Sequence, residues 1–183
     1  MERVLLDLML IAHLAIVFAA KLLYPSLDLF HLLVGATISS FDAVPPMVGL
    51  RPDSFHCGGI FHSIWLPIVG SVLLYPFGVV SSASFLVGGM LHLASDSIDR
   101  EGRPWLYPIS KRKHGFPLMP YAFSEYVSTP ICIGLEAISG VSVVCYLLFI
   151  GIDQASVFWL MFVTPFFIAF ALRERSLGND TVR

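Results

Sequence analysis

His92, Asp96 and Asp99 stand at i, i+4 and i+7 in the segment His-Leu-Ala-Ser-Asp-Ser-Ile-Asp. On an α-helix these positions share one face, so an imidazole and two carboxylates converge on a common point. A second cluster, Phe55-His56-Cys57-Gly58-Gly59-Ile60-Phe61-His62-Ser63, sets two histidines around a Gly-Gly pair that lets the backbone approach a ligand closely. Asp42 ends a run of small residues just before Pro45-Pro46. Neutral imidazole and ionised carboxylate suit zinc or manganese. The three cysteines, Cys57, Cys132 and Cys145, have no paired spacing and give neither a disulfide framework nor an all-thiolate site. Such a set supports hydrolysis by metal-activated water. Asp42, His56, His62, His92 and Asp96 are the expected ligands, and Asp96 or Asp99 the expected general base.

The elements that must position these groups are membrane helices. Of 183 residues, 56% are apolar and 13% charged, and the mean hydropathy is +0.80, whereas globular domains run near 45 to 50% apolar and about 25% charged. Stretches long enough to cross roughly 30 Å of hydrocarbon run from Val4 to Leu23, Gly58 to Phe77, Val79 to Ser95, Tyr126 to Ile150 and Ala155 to Leu172. A shorter sixth segment, Leu27 to Phe41, carries His31. The spacing predicts an all-α, six-segment transmembrane bundle forming one integral membrane domain over residues 1–183. With the N-terminus inside, ten of the eleven cationic residues fall on the cytoplasmic side, Lys21 being the exception, in accord with the positive-inside rule. Residues 96–124 then form a cytoplasmic loop, both termini are cytoplasmic, and the expected location is the inner cell membrane. A net charge of -2 argues against nucleic acid as a partner.

Under this topology Asp42, His56, His62, His92, Asp96 and Asp99 gather from three chain segments at one membrane face. The clusters together resemble the YdjM-like membrane-bound metal-dependent hydrolases. Gly35-Ala36-Thr37-Ile38-Ser39-Ser40-Phe41-Asp42 is similar to that family's small-residue helix ending in an aspartate-rich turn. His56 to Ser63 resembles its His-Arg-Gly-x-Thr-His-Ser block. His92-Leu-Ala-Ser-Asp96, with Gly102 and Trp105-Leu106-Tyr107-Pro108 after it, resembles the most specific block. The likeness spans about residues 35–110 and implies a metal-binding hydrolase. Ser40 replaces the first aspartate of the family's turn, and five residues rather than four separate His56 from His62. The family also has a histidine early in its first helix, for which His13, 29 residues before Asp42, is a better positional match than His31. His13 lies about 15 Å along a helix starting near Val4, so it reaches the site only if that site is sunk into the bundle.

The expected substrate follows from location. A site at the inner face beside Arg100, Arg103, Lys111, Arg112 and Lys113 favours anionic headgroups, so a lipid or other phosphoester is the expected class, with the bilayer itself as partner. The alternative is a small transporter or ion- or proton-binding membrane protein using Glu136, His92 and Asp96. Glu136 lies well inside the fifth apolar run, where a carboxylate is costly and therefore suggestive of function. Polar groups strung along the bundle favour transport; groups gathered at one face favour hydrolysis.

Overall fold

A computed structural model describes residues 8–43, 59–98 and 102–116 and isolated positions between 138 and 160; the side chains of residues 8–12, 42 and 43 fall outside that description. Four α-helices carry the described chain: α1 (Leu8–Leu23), α2 (Leu29–Ile38), α3 (Trp65–Leu74) and α4 (Val79–Asp96). Each boundary has a local cause. Lys21 at the end of α1 donates from Nζ to the carbonyls of Pro25 (2.7 Å) and Leu27 (2.6 Å), closing the turn into α2. Asp28 caps α2 by accepting from the His31 N–H at 2.9 Å, satisfying a donor that the first helical turn leaves open. Ser39–Ala43 continue α2 as a tighter 3-10 turn, and Tyr75–Phe77 do the same for α3. Gly78, at φ 129°, then reverses the chain into α4, a conformation that disfavours other residues.

α2 and α4 cross in backbone contact. A Cβ on Gly35 would collide with the Phe85 carbonyl oxygen, one on Gly88 with the Leu32 carbonyl oxygen, and one on Gly89 would lie 2.6 Å from the Pro67 Cβ of α3. Small residues at such a crossing exchange side-chain volume for close packing, as in membrane helix pairs. On one side of the crossing, Val17 and Phe18 of α1 and Leu29, Leu32, Leu33 and Ala36 of α2 enclose an apolar cluster with Tyr146, whose ring centroid is 4.5 Å from that of Phe18.

Among the described residues, much of the remaining interior is polar, and the exposed helix faces are apolar. His13, His62, Ser63, Ser82, Ser84, His92, Asp96 and Arg103 are buried, while Val69, Val72, Leu73, Tyr75 and Phe77 are exposed, Val72 by 67%. A water-soluble fold inverts this arrangement; lipid as solvent explains it, because backbone and side-chain polar groups must then be satisfied internally. Ser71 and Ser82 accordingly share a hydrogen bond of 2.8 Å between α3 and α4, and Ser84 Oγ accepts from the Asp28 N–H at 2.7 Å.

The described residues are helical, with no strand and one isolated antiparallel bridge, Arg103 to His114. α4 is long and apolar enough to cross a membrane; His13–Leu23, Leu29–Phe41 and Trp65–Phe77 are shorter apolar helices. The third expected segment begins later than its hydropathy suggests. Ile60–His62 form a single 3-10 turn, Ser63 is extended with Oγ donating to the Ile60 carbonyl at 2.7 Å, and regular helix starts only at Trp65. Most of the fifth and sixth expected segments, Glu136 among them, lies outside the described residues.

Because the Gly88 contact is with backbone, Gly88→Ala should destabilise the detergent-solubilised protein by about 1–3 kcal/mol, whereas Val72→Ala on the outward face should leave the unfolding midpoint almost unchanged. Thermal unfolding of both variants checks this.

Candidate metal centre

The inward face of α4 presents Phe85, Gly88, Gly89, His92 and Asp96 in succession, all buried. Its last two turns therefore deliver an imidazole and a carboxylate to the end of the bundle. The Asp96 side chain sits at the centre of a cluster drawn from four chain segments. Oδ1 accepts from His13 Nε2 of α1 at 2.9 Å, and Oδ2 lies 2.9 Å from His62 Nε2, just before α3. The same Oδ2 is 3.4 Å from His92 Nε2 and 3.8 Å from Arg103 Nε. The His92 ring is stacked on that of His13, with centroids 4.4 Å apart and planes at 26°, and its centroid is 5.4 Å from that of His62. Asp96 is 5% exposed and His62 1%.

A short hairpin closes this end. Arg103 and His114 exchange backbone hydrogen bonds of 2.9 and 2.8 Å. Gly102 takes φ 64°, and a Cβ there would lie 2.6 Å from the His114 carbonyl oxygen, so the approach of the two chain segments requires glycine. The hairpin is tied to α4 by the Phe116 N–H donating to the Ser97 carbonyl (2.7 Å) and to the start of α3 by the Ile64 N–H donating to the Trp105 carbonyl (2.9 Å). Trp105 Nε1 donates to Ser97 Oγ at 2.8 Å. Ser97 Oγ in turn donates to the Leu93 carbonyl at 2.7 Å.

Of the ligands expected from sequence, the structure brings together His62, His92 and Asp96. Asp42 lies in the 3-10 turn after α2, with its side chain outside the described residues; His56 and Asp99 are also outside them. His31 pairs with Asp28 at 2.6 Å, at the start of α2. His13 joins the cluster from the second turn of α1, its Nε2 reaching Asp96 Oδ1 at the end of α4. Arg103 is the member that spacing alone did not single out. Its sequence reads as one more cationic loop residue, and the available signal was its place between Gly102 and the Trp105-Leu106-Tyr107-Pro108 block.

The model of the YdjM inner membrane protein family matches residues 7–176. The chain belongs to this family. No curated protein and no solved structure matches it. The YdjM match takes in every residue of the cluster and all four helices, and with the apolar exterior it makes this an inner membrane protein.

The cluster's chemistry fits a cation. Nitrogen atoms of His13 and His92 and an Asp96 oxygen all lie within 4.8 Å of one another. Both ring nitrogens of His92 are buried without a hydrogen-bond partner, an arrangement that costs about 1–3 kcal/mol for an unsatisfied group and that a metal ligand relieves. In this YdjM protein Asp96 is, among the described residues, the cluster's one carboxylate.

These two histidines should therefore respond oppositely when no metal is supplied. His92→Phe removes an unsatisfied polar ring and should leave the metal-free protein as stable as wild type or more so. His13→Phe deprives Asp96 of a donor and should cost about 1–3 kcal/mol. Unfolding midpoints in detergent with chelator present measure both.

Proposed function

We propose that this YdjM-family protein is a metal-dependent hydrolase of the inner membrane, acting at the cytoplasmic face on a lipid or other phosphoester. The observation that carries the reading is the buried His92 ring, with no hydrogen bond to either nitrogen, beside His13 and Asp96. His13, His92 and Asp96 would hold the ion, zinc or manganese by donor type. His62 keeps Asp96 oriented through its 2.9 Å contact, as outer groups orient metal ligands elsewhere. When bound, such an ion supplies a Lewis acid that activates water and polarises a phosphoryl or carbonyl oxygen. Both Asp96 oxygens are engaged by imidazoles, which favours Asp96 as ligand and orienting group over proton acceptor; Asp99 remains the candidate base from sequence.

A six-crossing topology with both termini inside fits the geometry of the site. The His13–Asp96 and His62–Asp96 contacts put the first half of α1, the approach to α3 and the end of α4 at one end of the bundle. That end also carries the exposed basic stretch Lys111, Arg112 and Lys113, suited to the cytoplasmic leaflet. Among the described residues, His13, His62, His92 and Asp96 gather at that end, which supports hydrolysis over transport.

Elemental mass spectrometry of the detergent-purified protein tests the reading. Close to one zinc or manganese per chain is expected, with loss in the His92→Ala, Asp96→Ala double variant and retention in His31→Ala. A metal-free wild type after incubation with both ions would refute it. Topology is checked separately: Ser110→Cys, in a chain with Cys57, Cys132 and Cys145 replaced by serine, should react with an impermeant maleimide in inverted membrane vesicles and stay unreactive in intact spheroplasts.

A further inference from the structure

α1 runs from His13 of the cluster to Lys21, and α4 from Val80 to Asp96. Lys21 and Val80 therefore meet at the opposite end of the bundle, with Val80 about 24 Å along α4 from Asp96. There Lys21, Asp28, Leu29, Val80, Tyr146 and Ile152 line a cavity of about 720 Å³. Ligand cavities run to about 300–1,000 Å³ and set a few fixed polar groups in an apolar wall.

Three polar side chains of this wall have hydrogen-bonding capacity left over. Lys21 Nζ donates to the carbonyls of Pro25 and Leu27, and among the described residues no carboxylate pairs with it, so one N–H remains. Asp28 accepts from the His31 N–H and meets His31 Nδ1 through Oδ1 alone; its Oδ2 has no hydrogen bond among the described residues. Tyr146 is 5% exposed and its ring lies against Phe18, yet its hydroxyl makes no hydrogen bond among the described residues either. A nearly buried hydroxyl in that state is destabilising unless a ligand reaches it. The wall is held in place without a ligand, because the Asp28 N–H donates to Ser84 Oγ and Ser84 Oγ to the Val80 carbonyl, each at 2.7 Å. Asp153, also in the wall, is engaged by the N–H and Oγ of Ser156. The apolar part of the wall continues outward: Val80 lines the cavity and is itself exposed, as are Phe77 and Val79 before it.

We propose that this cavity is a phospholipid site for an aminophospholipid, whose phosphate accepts from Lys21 and Tyr146, whose primary ammonium donates to Asp28 Oδ2, and whose acyl chains follow the exposed face at Val79 and Val80. An ammonium beside a carboxylate and a phosphate beside a lysine are charge-assisted pairs. A primary ammonium brings three donors, whereas a quaternary one brings none, so the site distinguishes ethanolamine from choline headgroups. It stands apart from the metal centre and does not depend on it.

Native mass spectrometry of the detergent-purified full chain, incubated with equal amounts of phosphatidylethanolamine and phosphatidylcholine of matched acyl chains, tests the proposal. Wild type should carry the ethanolamine lipid in about tenfold preference, the scale of one hydrogen bond to a charged group. Asp28→Asn, which keeps a side chain able to cap α2, should bind the two lipids nearly equally. Tyr146→Phe, which keeps the ring against Phe18, should bind both several-fold less and leave their ratio unchanged. The His92→Ala, Asp96→Ala variant should keep the wild-type preference. A wild type that carries neither lipid, or both equally, overturns the proposal, as does a preference that survives in Asp28→Asn or is lost only in the metal-centre variant. Displacement of the lipid by an equal concentration of soluble phosphoethanolamine overturns the assignment to a lipid.

Discussion

The buried carboxylate of Asp96 is the constraint around which the described part of the molecule is organised. A carboxylate removed from water costs several kcal/mol unless it is paired and hydrogen-bonded. Here the compensation comes from His13 of α1, His62 before α3 and Arg103 on the hairpin, while His92, one turn earlier on α4, lies 3.4 Å away without a hydrogen bond. Each contact also fixes where its segment lies. The carboxylate therefore pins the helix ends together at one end of the bundle, while glycine contacts between α2 and α4 hold the middle.

That division of labour separates stability from chemistry. The apolar cluster around Val17, Leu32, Leu33 and Tyr146 and the backbone crossing at Gly35 and Gly88 involve no carboxylate or imidazole. They provide a frame in which the far end can tolerate an arrangement that is poor as packing. Three imidazoles crowd one carboxylate, and the His92 ring is stacked without a hydrogen bond. A site whose local energetics are unfavourable inside an otherwise consistent fold is where a ligand is expected to complete the structure.

The bilayer explains why so polar an interior coexists with so apolar an exterior. Exposed Val69, Val72, Leu73 and Phe77 suit a hydrocarbon surround, in which burying them would gain nothing, and the interior is free to hold serines and histidines. Ser71 with Ser82 and Ser84 with Asp28 are such pairs. The hairpin over residues 102–116 then acts as a plug of polar backbone, bonded to the helix ends it covers.

Composition and pattern alone determined the helical membrane character, the family likeness and three of the clustered residues. These are local properties: hydropathy accumulates along a segment, and His92 and Asp96 share a face because the helix repeat puts them there. The start of α3 was not legible, since a run of apolar residues does not reveal that Ile60–His62 form one tight turn stabilised by Ser63. Nor was the part His13 plays. His13 looked too far along a helix taken to start near Val4, and it became a partner of Asp96 because the second turn of α1 packs beside the end of α4. Arg103 was hidden for a similar reason: in sequence it is one cation among several beside a membrane, and only the pairing of its strand with His114 turns it inward. Sequence determines which groups are available and which share an element. Burial, the partner a charge finds across 83 positions of chain, and therefore the chemistry of the centre, are properties of how those elements pack.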